Sequence, residues 1–293
     1  VSDDGACRSA ADDEREAARR EAILLKAEAW QLIRRGFAEN RGHLAGAEEK
    51  LKKAEALCRS TGDREGLVGI LAGRGAILRS SGQKDQILAA IGLYMEEIGI
   101  LAEADREKEV AAYQSNVVMA YRDLATVDPE NALDHLGRGF EIGQAALAAS
   151  RRLADRAGMA QGSANLAELC MLLADNDPEL AEDHLATAVV LYRAAEELWT
   201  ELDREGLAAA RMGLAEAYLR LGRNLEGVEE LLEQSAEIYA GADGGPVVYQ
   251  LAQVHALRAR LRQAQGRPAE AAEERGKAID LFERLGFWRG ESK

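Results

Sequence analysis

Three stretches of this 293-residue chain share the pattern His-Leu-x-x-small: His43-Leu44-Ala45-Gly46-Ala47, His135-Leu136-Gly137-Arg138-Gly139 and His184-Leu185-Ala186-Thr187-Ala188. Each is followed by a helix-forming segment that ends near an aspartate. A chain that reiterates one helical unit cannot close a core inside that unit. It stacks neighbours, exposes a long surface, and is suited to binding other proteins rather than to catalysis.

Composition agrees with a helical repeat. Hydrophobic residues make up 47% of the chain, aromatics only 5%, and there are four prolines. Ala, Leu, Glu and Arg predominate, all strong helix formers, so an all-α fold is expected. The net charge of −14 argues against a general nucleic-acid binder or a protein held on anionic membrane, since both need a positive surface. The charge is unevenly placed. From Tyr249 to Lys293 nine Lys and Arg face six Asp and Glu, a net +3, leaving −17 for the rest. Cys7, Cys58 and Cys170 are odd in number and widely spaced, so neither a disulfide framework nor a zinc site is predicted, and a reducing cytoplasm fits. Val1 to Arg8 is acidic and polar, unlike a secretory leader, and no apolar run approaches the roughly 20 residues needed to span a bilayer.

Recurring aspartates divide the chain. Asp63-Arg64-Glu65-Gly66, Asp105-Arg106-Glu107, Asp155-Arg156 and Asp203-Arg204-Glu205-Gly206 stand 42, 50 and 48 residues apart. An Asp at each site can cap the N–H groups of the next helix. Asp128-Pro129-Glu130 and Asp177-Pro178-Glu179, 49 residues apart, read as a matched insertion in which Pro stops one helix and opens the next. Within units the apolar period is helical, as in Ile23, Ala27, Trp30, Ile33 and Phe37, or Val254, Leu257, Leu261 and Ala264. Six helical hairpins are predicted: 12–40 with 43–61, 64–81 with 84–103, 106–126 with 130–153, 156–174 with 178–201, 204–221 with 224–240, and 246–265 with 268–286. Residues 1–11 are expected to form a flexible tail, and 12–293 a single repeat domain.

Met212-Gly213-Leu214-Ala215-Glu216-Ala217-Tyr218-Leu219-Arg220-Leu221-Gly222 resembles the first helix of a tetratricopeptide repeat. Val117 to Ala125 and Leu166 to Ala174 follow the same pattern with substitutions, and Gly266-Arg267-Pro268-Ala269-Glu270-Ala271-Ala272 is similar to the turn and second helix. The resemblance covers nearly the whole chain, with units longer than the usual 34 residues or so. It implies an all-α solenoid of about six antiparallel hairpins wound as a right-handed superhelix. Similar long repeats accompany bacterial signalling proteins, including peptidases and transcriptional regulators.

The resemblance also implies that first helices line a concave groove, where an Asn before the Leu of the pattern contacts the backbone of a bound peptide. Asn116 and Asn165 hold that place. By the same register Arg79, Met119, Arg122, Glu168, Met171, Glu216, Arg220 and Arg260 are expected to face the groove, a mixture of both charges and soft apolar groups that suits a peptide or helix. Phe282, Leu285, Phe287 and Trp288 gather large apolar groups near the end of the chain, an expected interface that the last helix caps itself or that mediates docking or a homodimer.

No catalytic, cofactor or metal residues are predicted. The three repeat histidines occupy equivalent places in different units, too far apart to share an ion at about 2 Å. His255 has no Glu or His four residues away, and no Gly-x-Ser-x-Gly elbow, Walker loop or dinucleotide fingerprint occurs. The expected function is a non-catalytic scaffold for a protein partner. A peptide-sensing or inhibitory module controlling a protease or transcription regulator is the second reading, and an enzyme on a helical solenoid the third.

Overall fold

A computed structural model describes residues 10–38, 41–240 and 245–285. It is 88% helical and contains no strand among the described residues. The helices are α1 (Ala10–Ala38), α2 (Gly42–Thr61), α3 (Arg64–Leu67), α4 (Ile70–Arg79), α5 (Lys84–Glu103), α6 (Glu107–Val127), α7 (Ala132–Arg152), α8 (Arg156–Asn176), α9 (Ala181–Trp199), α10 (Arg204–Leu221), α11 (Leu225–Ala240), α12 (Gly245–Ala264) and α13 (Pro268–Arg284). Residues 1–9 of the expected tail lie outside the described residues.

The chain divides into two compact units, Val1–Val127 and Asp128–Lys293. In the first, α1 pairs with α2, the α3/α4 segment with α5, and α6 packs on α5. In the second, each helix from α7 to α13 packs on the next, and α8, α10 and α12 also touch in succession. The predicted hairpin 106–126 with 130–153 therefore contributes one helix to each unit.

The aspartate signals work as caps where geometry permits. Asp63 accepts a hydrogen bond from the Gly66 N–H at 3.0 Å, and Asp203 accepts from Glu205 and Gly206 at 3.2 and 3.1 Å. Asp105 departs from the expectation. It takes the left-handed conformation (φ 55) that ends α5, while the Arg106 N–H returns to the Leu101 carbonyl at 3.0 Å. Ala154 (φ 53), Gly222 (φ 63) and Gly266 (φ 72) hold the same place in later turns, where a left-handed residue satisfies the final carbonyls of a helix. Asp105 thus stands one residue before the helix-start position.

Segment 64–81, predicted as one helix, is broken. Val68 is extended (ψ 130) and Gly69 is left-handed (φ 79). Side chains from other helices hold the groups this break frees: the Gly69 N–H donates to Glu97 Oε1 at 2.6 Å, and Lys26 Nζ donates to the Val68 carbonyl at 3.3 Å.

The apolar stripe of α1 is shifted as well. Ala22, Ala29 and Ile33 are buried with α2 residues Ala47, Leu51 and Ala54, whereas Ile23 and Phe37 of the predicted stripe are exposed. Small residues at 22 and 29 let α2 approach closely. In the second unit Val254, Leu257 and Leu261 enter the main core as predicted, alongside Tyr192, Leu232 and Tyr239. Arginines on the first helix of a pair recur as ties to a neighbouring second helix: Arg74 to Glu48 and Glu55, Arg211 to Glu196, and Arg262 to Glu229.

One of the repeat histidines locks its Asp-Pro-Glu insertion, and a second lies near the aspartate of its own. Asp128 accepts hydrogen bonds from Asn131 Nδ2 and lies 2.9 Å from His135 Nε2, with both His135 and Asp128 largely buried. His184 Nε2 lies 3.6 Å from Asp177, beyond hydrogen-bond distance. A buried hydrogen bond to a charged group contributes about 1.5–3 kcal/mol. His135→Ala is therefore expected to lower stability by about that much and His184→Ala by less than about 1 kcal/mol, measured by urea denaturation; equal losses would show that the shorter contact carries no extra stability.

Candidate functional site

The second unit presents a groove of about 400 Å³ where α8, α9, α10 and α12 meet, lined by Glu168, Tyr192, Met212, Gly213, Glu216, Gln250, Gln253 and Arg260, among others. Three of its walls are first helices of the hairpins. Arg260 Nη1 donates to Glu216 Oε1 at 2.8 Å across the α10–α12 contact, leaving both side chains substantially exposed. Tyr192 reaches the groove from the second helix α9 because position 213 has no side chain: a β-carbon there would stand 2.7 Å from the Tyr192 hydroxyl oxygen.

The sequence-predicted residues separate into distinct environments. Glu168, Glu216 and Arg260 come together in the groove. Arg220, beside them on α10, is tied down: its Nη1 donates to the Met171 carbonyl at 3.1 Å and its guanidinium pairs with Asp175. Met171 belongs to the packed core at 8% exposure. Asn165 is 6% exposed, its Oδ1 accepting from Gln161 Nε2 at 2.8 Å. In the first unit, Arg79 and Arg122 both bind Asp123, with distances of 3.0 Å from each guanidinium. Asn116 and Met119, on the same helix as Arg122, are half-buried. Phe282 stacks edge-on against Tyr249 with ring centroids 5.7 Å apart, and Leu285 is half-buried. Phe287 and Trp288 lie outside the described residues.

Gln250, Gln253 and Tyr192 were absent from the sequence expectation. The glutamines stand at i and i+3 on α12, continuing to Arg260 one turn beyond Leu257, and that polar line beside the apolar one was the available signal. Tyr192 carried no such signal, because it comes from a second helix.

Neither described cysteine is prepared as a nucleophile. Burial pushes the Cys170 thiol up to about 12, and burial, reinforced by Asp63, also raises that of Cys58; both side chains are buried and free. His255, which lacked a sequence-local partner, pairs with Glu274 on α13 at 2.6 Å. Among the described residues no group of three His, Cys, Asp or Glu side chains is placed to hold a metal ion, and no helix is long and apolar enough to cross a membrane.

No known family's sequence profile matches the chain, and no curated protein sequence matches it. Solved structures do. The crystal structure of BtubC (BKLC) from P. vanneervenii aligns with a TM-score of 0.56 at 14% identity, covering 98% of this chain and 96% of that one. Two crystal structures of Podosopora anserina putative kinesin light chain nearly identical TPR-like repeats align at 20% identity, with TM-scores of 0.53 and 0.51, covering 74% and 75% of this chain and 97% of each of theirs. Paired helices with left-handed turn residues, successive first-helix contacts and these structural matches together give the chain the fold of tetratricopeptide-like helical repeats.

Proposed function

We propose that the chain is a non-catalytic protein-interaction scaffold that holds a peptide segment or helix of a protein partner in the groove of its second unit. Proteins of this fold are commonly interaction scaffolds and typically lack catalysis. The observation that carries the reading is the lining of the groove. Gln250 and Gln253 each offer a donor and an acceptor that can pair with a peptide bond whatever its side chain. Met212 and Tyr192, packed in the core beneath, give the groove an apolar floor, and Glu168 and the Glu216–Arg260 pair supply fixed charges that orient the occupant. Asn116, Met119 and Arg122 on α6 are a separate proposed contact of the first unit, in which the half-buried Asn116 amide plays the part of the glutamines. Unpaired cysteine spacing supports a cytoplasmic setting for such a scaffold.

A peptide library selected on the wild-type chain tests the groove. Glu168→Ala with Gln253→Ala is expected to weaken the selected peptides at least about tenfold, or about 1.4 kcal/mol, without changing helicity or melting temperature. Undiminished affinity would place the binding surface elsewhere. Asn165→Ala is a poor substitute, because the side chain is buried and its loss would disturb packing.

A further inference from the structure

Residues 62–69 of the first unit carry a glycine in the left-handed region at each end, Gly62 at φ 69 and Gly69 at φ 79. Glycine turns through such angles without strain, so both ends can act as hinges. Between them lies α3, a single helical turn from Arg64 to Leu67. One turn cannot sustain a helix by its own hydrogen bonds, and Leu67 is its buried anchor. Other helices hold the segment in place. The Gly69 N–H donates to Glu97 of α5, and the Val68 carbonyl accepts from Lys26 of α1. Asp63 with Arg19, Arg64 with Glu103 and Glu65 with Arg106 are ion pairs with at least one exposed member each, which solvent weakens.

The segment covers a thiol. A β-carbon at Gly66 would stand 2.8 Å from Cys58 Sγ, so the backbone of α3 lies directly on the sulfur. Cys58 is 1% exposed, and Leu67 belongs to the same core cluster. Beside them runs a surface cavity of about 310 Å³ lined by Cys58, Arg64, Leu67 and Ile100, among others. Outward movement of α3 therefore joins the sulfur to space already open at its edge.

Glu97, fully buried, stands at the second hinge. Lys26 of α1, the Tyr113 hydroxyl of α6 and the N–H groups of Gly69 and Ala72 favour its ionised form. Tyr94 lies near it on α5, and beyond the two tyrosines stand Arg79, Asp123, Glu109 and Arg106. Burial outweighs these groups and pushes the carboxyl up to about 7. Moving the chain at Gly69 away lets water reach the carboxylate, so the open form binds the proton less tightly.

We propose that residues 63–68 are a hinged lid over Cys58, closed while Glu97 holds its proton and released when Glu97 ionises. Opening then becomes easier as pH rises from about 4.5 to about 7 and levels off above, by about tenfold per pH step and about 300-fold in all.

Labelling with dithiodipyridine tests this, with mass spectrometry separating Cys58 from Cys7 and Cys170. At each pH the Cys58 rate is divided by that of the urea-unfolded chain, which removes the thiol's own titration. The quotient is expected to follow the stated rise, and at pH 7 to stay constant up to about 1 M urea, because a lid exposes little new surface. Glu97→Gln should give a quotient that is flat with pH. Leu67→Ala should raise it at least about thirtyfold at every pH and keep the slope, since it weakens the anchor and leaves the proton site. A flat wild-type quotient, or a Glu97→Gln slope equal to that of the wild type, overturns the proposal. So does a Cys58 rate that climbs with urea from the lowest concentrations, which would assign exposure of the thiol to unfolding of the whole unit. The wild-type pH and urea series decide the matter even if neither variant folds.

Discussion

Tyr94→Ala is expected to lower the stability of the first unit by about 3–5 kcal/mol, the usual cost of emptying an aromatic site in a core. Tyr94 is the largest fully buried side chain among the described residues. Burial pushes its hydroxyl up to about 12, with Arg79 opposing that shift. Its ring lies on Gly75 of α4, where a β-carbon would stand 2.7 Å from Tyr94 Cζ. Gly75→Ala alone is expected to cost about 1–3 kcal/mol, because the ring must move in a packed interior. The double variant should lose less than the sum, with a coupling of about 0.5–3 kcal/mol, since the new methyl no longer meets a ring. Urea denaturation of the four proteins checks this; strictly additive losses would show that ring and glycine do not depend on each other. The second unit uses the same fit in Tyr192 over Gly213. There the ring also lines the groove, so Gly213→Ala should disturb peptide affinity together with stability.

The second large effect concerns pH. Glu97 is fully buried at the break between α3 and α4. Burial pushes its carboxyl from 4.5 up to about 7, partly opposed by hydrogen bonds from the Gly69 N–H and the Tyr113 hydroxyl and by the Lys26 charge. A carboxyl that binds its proton more tightly folded than unfolded contributes full stability below about pH 4.5. That contribution falls as pH rises to about 7 and is flat above, a total of about 3 kcal/mol. Glu97→Gln keeps an acceptor for the Gly69 N–H but cannot ionise. Its stability should therefore change less than that of the wild type between about pH 5 and pH 8, and at the higher pH it should be the more stable protein. Parallel curves for the two proteins would mean that the folded carboxyl ionises as readily as the unfolded one.

What the sequence shows plainly is whatever depends on local backbone chemistry. Asp63 and Asp203 cap the helices they precede, and most helix ends fall within a few residues of their predicted places, because caps, left-handed turn residues and apolar period act over one or two turns. Long-range ties are less visible. The break at Gly69 depends on Glu97 and Lys26, which come from other helices. In α1 two apolar lines lie side by side, and only packing against α2 selects the one containing Ala22, Ala29 and Ile33. The groove is partly legible for the same reason. Glu168, Glu216 and Arg260 follow the repeat register on first helices, whereas Tyr192 enters through a glycine on the next helix, and Asn165 is withdrawn by a neighbouring amide on its own helix. Asp105 shows the limit of reading residue type alone, since its place in the turn is shared with alanine and glycine.

The Asp-Pro-Glu insertions have a further consequence for how such a chain can lengthen. In each, the aspartate that opens the insertion and the histidine nearest it are seven residues apart, at 128 and 135, where they meet at 2.9 Å, and at 177 and 184, where they stand 3.6 Å apart. Each contact joins the start of an insertion to the helix that follows it, within a single stretch of eight residues. A segment of this kind brings its closing contact with it and can be duplicated as one piece of sequence. It can equally be transplanted into a shorter connection, such as the Gly222 turn, to lengthen that hairpin while its core residues stay as they are.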